Sequence, residues 1–364
     1  MKVSPNEGIT VTAKYLEIVY KLELELRQMS IDGRSRLPTE AELCSRYSCS
    51  RQTIRMALNT LSDKGLIVKK RGSGSYLSGS ISARRSDIIF ITEDEDEYIN
   101  PSFISNLKQL LKNRKYELVC KSTGGSVRTE SDILSELLND PPAAVIIEPV
   151  NNVIPNPNIS IIEELHSINV PVIYLRCAYP SPAGAPLISE DNKRGAAVLA
   201  KHLKENGHKN IAGIFRCDDS RGLERFQGFY EALQDLDLAF DEESVYLFTA
   251  SERRRIMRGD DDILQRFITN CLKGRSAVIC QNDEIAFRLI RTLEKNGIRV
   301  PDNVAVVSFD DSYLASSGNA GITSLGHSNR NLGSIVADAV IASIEHRRFR
   351  IEQPDWRLRV RNSG

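Results

Sequence analysis

Two groups of residues in this chain have the types and spacing for chemistry, and both suit binding more than bond making. The first is a run of apolar strands, each followed by polar side chains. Such residues are Glu93–Tyr98, Glu148, Arg176, Arg216–Asp219, Phe248, Gln281–Asp283 and Asp310–Asp311. In an open α/β sheet, ligands sit beyond the carboxyl ends of the strands. Carboxylates, amides and guanidinium groups gathered at one edge bind several hydroxyls through paired hydrogen bonds, while an aromatic ring covers an apolar face. The second group is Arg51, Gln52, Arg55 and Asn59, which fall on one face of a helical wheel over residues 51–64. Guanidinium and amide groups so placed fit bidentate contacts to base edges and phosphates.

The elements that must position the second group read clearly. Thr39 precedes an apolar-periodic run and Glu42 follows three residues on, the pattern of a capping box. A helix to about Tyr47, a turn at Ser48–Ser50, and a helix from Arg51 to about Lys64 follow. Ile54, Ala57, Leu58 and Leu61 share that second helix's apolar face, and Gly65 ends it. Leu66–Val68 and Ser75–Leu77 flank a basic, glycine-rich tip at residues 69–74, which predicts a hairpin. Tyr15, Ile18, Val19, Leu22 and Leu26 recur at helical spacing and predict an earlier helix over about 13–29. A lone basic helix face is often only a solvated surface; helix, helix and basic hairpin in series point to duplex DNA.

LPTEAEL, SRQTIRMAL and GLIVKKRGSGSYL, in that order, resemble the winged helix-turn-helix of the GntR family of bacterial regulators. The resemblance implies that Arg51, Gln52, Thr53 and Arg55 lie at the DNA, with Lys70, Arg71 and Gly72 in the wing. Ala41 departs from the basic residue usual there.

The elements positioning the first group form a different pattern. Strands are predicted at 87–92, 116–120, 143–148, 171–175, 210–215, 244–248, 276–280 and 303–309, with helices between most of them. Repeating β-α units argue for parallel sheets covered on both faces. A Pro- and Ala-rich pause at 178–187 favours two lobes with a cleft. The expected fold class is α/β, with an N-terminal winged helix-turn-helix over 1–78, a small, polar and basic linker over 79–86, and a two-lobed body over 87–361.

DNKRGA (191–196), GHKNIAGI (207–214), ERFQGFYEAL (224–233), CQNDEIAF (280–287), GIRVPDNVAVVSFDD (297–311) and ITSL (322–325) resemble the sugar-responsive body of the LacI family, which has the two-lobed periplasmic-binding-protein fold. Carried over by motif, Arg225, Asn282 and Asp310 contact the effector. Arg176 stands where sugar responders often carry Asp, and Glu148 and Phe248 join the candidate effector residues by their place at strand ends. The resemblance also implies a homodimer. A GntR-type head on a LacI-type body resembles repressors of arabinose metabolism, which implies L-arabinose as effector. Another pentose or small polyol fits these residues equally well.

Composition bounds the alternatives. The chain has 364 residues and no net charge, but residues 33–85 hold eleven Arg and Lys against three acids, so that segment is at +8 and the remainder of the chain at −8. Only the head is therefore expected to meet polyanions. No membrane-length apolar run and no signal pattern are present, so a cytoplasmic protein is expected. Seven scattered Cys without a C-x-x-C pair predict reduced thiols and no metal. An enzyme reading finds no phosphate-cradling G-x-x-x-x-G-K-[ST] loop, no G-x-S-x-G elbow and five His without metal spacing, so no catalytic residue and no cofactor are expected. A transport or chemotaxis receptor would share the body but would need export and would have no use for the basic head.

Overall fold

The computed structural model describes residues 18–19, 21–22, 25–26, 29, 35–63, 65–70, 73–78, 86–96, 98, 100–180, 185–317, 321–327, 332–351 and 353–364. The chain divides into two compact units, Met1–Ser86 and Asp87–Gly364.

In the first unit, α1 (Glu40–Tyr47) opens on the Thr39–Glu42 capping box and stops at Ser48, which takes the left-handed conformation at φ 48°. Ser50 Oγ accepts from the Thr53 N–H at the start of α2 (Arg51–Asp63). Ile54, Ala57, Leu58 and Leu61 on α2 are buried against Leu37, Leu43 and Ile67. Ile18, Val19, Leu22, Leu26 and Met29, all helical, complete this core; the rest of the helix predicted over 13–29 lies outside the described residues. Glu25 accepts from Arg46 and Tyr47, tying that segment to the end of α1. Strands β1 (Ile67–Lys70) and β2 (Gly74–Leu77) pair antiparallel, and Leu37 and Leu77 N–H groups bond to Ser75 and Ser35 carbonyls, which adds residues 35–37 beside the hairpin.

The second unit holds two sheets. In the first, β4 (Glu117–Ser122), β3 (Asp87–Thr92), β5 (Ala144–Ile147), β6 (Val172–Leu175) and β7 (Leu187–Ile188) run parallel in that spatial order. In the second the order is β13 (Trp356–Arg359), β12 (Thr323–His327), β11 (Ala305–Phe309), β10 (Ala277–Cys280), β8 (Ile211–Arg216) and β9 (Val245–Phe248). Only β13 in this sheet is antiparallel to its neighbour. Helices α3 (Asn100–Lys112), α4 (Val127–Asn139) and α5 (Ile159–Ser167) cover the first sheet. Helices α6 (Asn192–Glu205), α7 (Ser220–Asp235), α8 (Ala250–Met257), α9 (Asp262–Asn270) and α10 (Asp283–Lys295) cover the second, with the short α11 (Tyr313–Ser316) nearby.

The lobes are not consecutive in sequence. Helix α12 (Leu332–Ile344) follows β12 of the second sheet, yet its Ile335, Val336 and Val340 are buried in the core of the first. Strand β13 then returns to the second sheet. The chain thus passes between lobes three times: after Ile188, after His327, and between Ile351 and Trp356. All eight strands expected from sequence are present; β7, β12 and β13 are additional. No helix among the described residues is long and apolar enough to cross a membrane.

Candidate functional site

Parallel strands end at one edge, and helix N-termini begin there, so the residues just after β8, β10 and β11 converge. They line a narrow opening continuous with solvent, bordered by Tyr98, Arg216, Asp219, Arg221, Arg225, Phe248, Arg253, Gln281, Asn282 and Asp310. Four of the six residues expected at an effector, Arg225, Asn282, Asp310 and Phe248, are among them.

Arg225, one turn into α7, is buried, and each of its guanidinium nitrogens has one partner. Its Nε donates to Asn192 Oδ1 at 2.9 Å, its Nη1 donates to the Gln281 carbonyl, and its Nη2 lies 3.5 Å from Asp310 Oδ1. The guanidinium stacks over Phe309, 4.2 Å from the ring centroid. Asn282 caps α10: its Oδ1 accepts the Ile285 N–H at 3.0 Å, which leaves the amide NH₂ for the opening. Phe248 forms wall, wholly buried at the end of β9.

Asp310 is held in an unusual backbone conformation. It has φ 100° and Asp311 has φ 45°, left-handed values that cost a non-glycine residue about 1–3 kcal/mol and recur at ligand sites. Buried Asp283 supplies the restraint. Its Oδ2 accepts the Ser312 N–H at 2.6 Å and the Ser312 hydroxyl at 2.9 Å, and its Oδ1 accepts from Ser324 and Ser308. Burial and the neighbouring Asp310 charge nevertheless push the Asp283 carboxyl up to about 6, against the lowering effect of those hydrogen bonds.

Beside these stands an ion-pair set that sequence reasoning only grazed. Arg221 grips Asp219 through Nη2 and Nε at 2.7 and 3.1 Å. Burial works against the Asp219 charge, but Arg221 and Arg216 overcome it and hold the carboxyl far below the usual range. Arg253 pairs with Glu284 at 2.7 Å. Arg216 reaches Asp218 at 2.6 Å and, across the cleft, Glu93 at 3.0 Å. Glu93 thus joins the two lobes. The Tyr98 hydroxyl likewise donates to Asp310 and Asn152 Oδ1 accepts the Ser220 N–H at 2.7 Å. Arg221 and Arg253 were missed because each lies inside a helix's first turn, where an arginine fits an ordinary solvated face. The available signal was their place one turn beyond a strand end.

Arg176 and Glu148 do not border the opening. They pair with each other at 2.5 Å, both almost wholly buried, with Thr92 donating to Glu148 at 2.7 Å and Arg176 donating to Asn100 at 3.0 Å. This is a buried polar network at the carboxyl edge of the first sheet, and Asn100 also donates from it to the Asp94 carbonyl at 2.7 Å.

In the head, Arg51, Gln52 and Arg55 are exposed along α2 and Thr53 is half-buried. Arg55 Nε donates to Glu40 at 2.9 Å. Lys70 lies over the Tyr76 ring at 5.0 Å. Arg71 and Gly72 lie outside the described residues. No group of three His, Cys, Asp or Glu able to hold a metal occurs among the described residues.

A helix-turn-helix with a β hairpin, and a two-lobed body with a polar interlobe opening, are the parts of a DNA-binding transcription regulator. The sequence comparisons assign both parts: residues 14–77 match the bacterial regulatory proteins of the gntR family, and residues 200–363 match the periplasmic binding protein-like domain. The chain is 28% identical over 342 residues, 92% of each protein, to the arabinose metabolism transcriptional repressor of Geobacillus stearothermophilus. Among solved structures it resembles a periplasmic binding protein/LacI transcriptional regulator from Alkaliphilus metalliredigens complexed with D-xylulofuranose, with TM-score 0.64, 19% identity, and coverage of 76% of this chain and 98% of that one. It also resembles a CelR–cellobiose complex, with TM-score 0.65, 20% identity, and coverage of 93% and 94%.

Proposed function

We propose that this protein represses sugar-utilisation genes, that L-arabinose is its effector, and that the sugar binds in the interlobe opening and releases the protein from its operator. One observation carries the reading. Arg225, Asn282 and Asp310, far apart in sequence, border a single opening that Tyr98 of the other lobe also lines. A planar guanidinium, a free amide and a carboxylate offer donors and an acceptor for adjacent hydroxyls, and Phe248 supplies an apolar wall. Each arginine there already faces a carboxylate, which suits an uncharged polyol. The likeness to the arabinose metabolism repressor selects L-arabinose among such ligands.

On this reading Arg51, Gln52, Thr53 and Arg55 meet the operator, with Lys70, Arg71 and Gly72 on its backbone. The protein acts in the cytoplasm as a homodimer on a two-fold site, with the boundaries 1–78, 79–86 and 87–361. Release requires the sugar to favour one lobe arrangement, since equal affinity for both would shift nothing. Calorimetry against a panel of pentoses tests the effector. Heat with another pentose and none with L-arabinose would replace the sugar and keep the site; silence to every sugar would remove the effector function.

A further inference from the structure

One residue from each passage between the lobes meets in a single stack. Glu190 follows β7, His327 ends β12, and Trp356 begins β13. The His327 ring lies flat on the Trp356 indole, with centroids 5.4 Å apart and planes 16° from parallel. Glu190 Oε1 is 3.4 Å from His327 Nε2. Trp356 Nε1 donates to the Asp191 carbonyl at 2.7 Å, so the third passage is bonded to the first. Glu190 Oε2 and His327 Nδ1 are buried with no hydrogen-bond partner among the described residues. Buried polar atoms are rarely left so; here they leave the pair with unspent hydrogen-bonding capacity where the passages between the lobes meet.

This stack touches the effector opening by two routes. Phe309 packs edge-on against Trp356 at 5.7 Å, and the Arg225 guanidinium lies over both rings, at 4.2 and 5.9 Å. Separately, Arg225 Nε holds Asn192 Oδ1, and Asn192 Nδ2 donates to the Glu190 carbonyl at 3.3 Å. Little room exists for sliding past, because a Cβ at Gly195 would come within 2.8 Å of the indole. A shift of Arg225 therefore reaches all three passages through packed rings and one amide.

We infer that Glu190, His327 and Trp356 are positioning residues that convert occupancy of the opening into a change of lobe angle, and so couple effector to operator. This rests on the reading of the opening as an effector site. A coupling element needs two arrangements that each ligand weights differently; the stack, bonded to the first passage and pressed by Arg225, is placed to have them.

The chain's single tryptophan is Trp356, so its intrinsic emission reports on the stack. The test uses full-length protein, an operator duplex recovered by selection, and L-arabinose. It compares wild type with His327→Ala, Glu190→Gln and Trp356→Phe. In the wild type, L-arabinose shifts the Trp356 emission and weakens operator binding, by roughly 5–150-fold if coupling is of ordinary size. His327→Ala and Glu190→Gln are expected to bind sugar and operator separately within about threefold of wild type while that weakening falls below about twofold. Trp356→Phe, which keeps a ring on Phe309 but loses the bond to Asp191, is expected to lie between. If His327→Ala does not fold, Glu190→Gln, almost isosteric, answers the question. Wild-type weakening retained in the variants overturns the inference, as does emission unmoved by either ligand. A wild type silent to sugar but with emission shifted by operator binding refutes the effector and upholds the stack as an element that senses DNA.

Discussion

Arg225→Ala is the perturbation whose size the structure fixes best. The guanidinium makes two hydrogen bonds, one ion pair and two ring contacts in a site where its side chain is 5% exposed. Removing one member of a buried pair costs about 3–5 kcal/mol, because the surviving charge is left without its partner. The pair here is long at 3.5 Å, Asp310 is 16% exposed, and Tyr98 also donates to it, which places this contribution at the low end. Asn192 Oδ1 and the Gln281 carbonyl lose their donors as well, at about 1–3 kcal/mol each if water does not replace them. The opening is continuous with solvent, so water relieves part of this. The body should lose about 3–5 kcal/mol of stability and all sugar response. The head has its own core and should still bind the operator. Urea titration reads the first effect as a lower midpoint at unchanged slope, and calorimetry with L-arabinose reads the second. A midpoint change worth less than about 1 kcal/mol would refute the energetic reasoning, and normal sugar release of the operator would refute the site.

Three further outcomes follow from particular contacts. Asn282→Ser keeps an oxygen to cap α10 but loses the amide donor, so sugar affinity should fall about 3–10-fold, one neutral hydrogen bond, with little loss of stability; unaltered affinity would move Asn282 off the ligand. Arg55→Ala should weaken operator binding by roughly 1–3 kcal/mol and barely alter stability, since the Glu40 pair is exposed and worth at most about 1 kcal/mol; unchanged affinity would take Arg55 off the DNA. The raised Asp283 carboxyl gives a pH signature. Its stabilising contribution is complete below about pH 4, the unfolded value, and is lost as pH rises through about 6, a loss of about 3 kcal/mol for two units. Asp283→Asn has no such titration, so its stability relative to wild type should climb by up to that amount between pH 4 and 7; parallel curves would contradict the assignment.

The fold was legible where the residue pattern is local. Eight parallel strands announced themselves as short apolar runs. The three that did not each lacked that mark. Leu187–Ile188 is two residues long beside a Pro- and Ala-rich stretch, Thr323–His327 is mostly small and polar, and Trp356–Arg359 alternates with arginine at an edge. That α12 packs in one lobe and β13 in the other depends on tertiary contacts no local pattern encodes. Of the candidate site, Arg225, Asn282, Asp310 and Phe248 border the opening. Glu148 and Arg176 satisfy each other in a buried network, because strand-end position says which edge a side chain occupies but not which neighbour claims it. Tyr98, Arg216, Asp219 and Gln281 were within reach of the same logic. Arg221 and Arg253 lie one turn beyond a strand end, the one mark that separates them in sequence from first-turn arginines that face water.

The most direct test of the whole account is an operator shift assay on the purified chain with and without saturating L-arabinose. The account predicts tight binding to a two-fold operator that the sugar weakens at least several-fold, with D-glucose as an inert control. Operator binding unaffected by every pentose at millimolar concentration would contradict it, leaving a DNA-binding protein whose interlobe opening has another use.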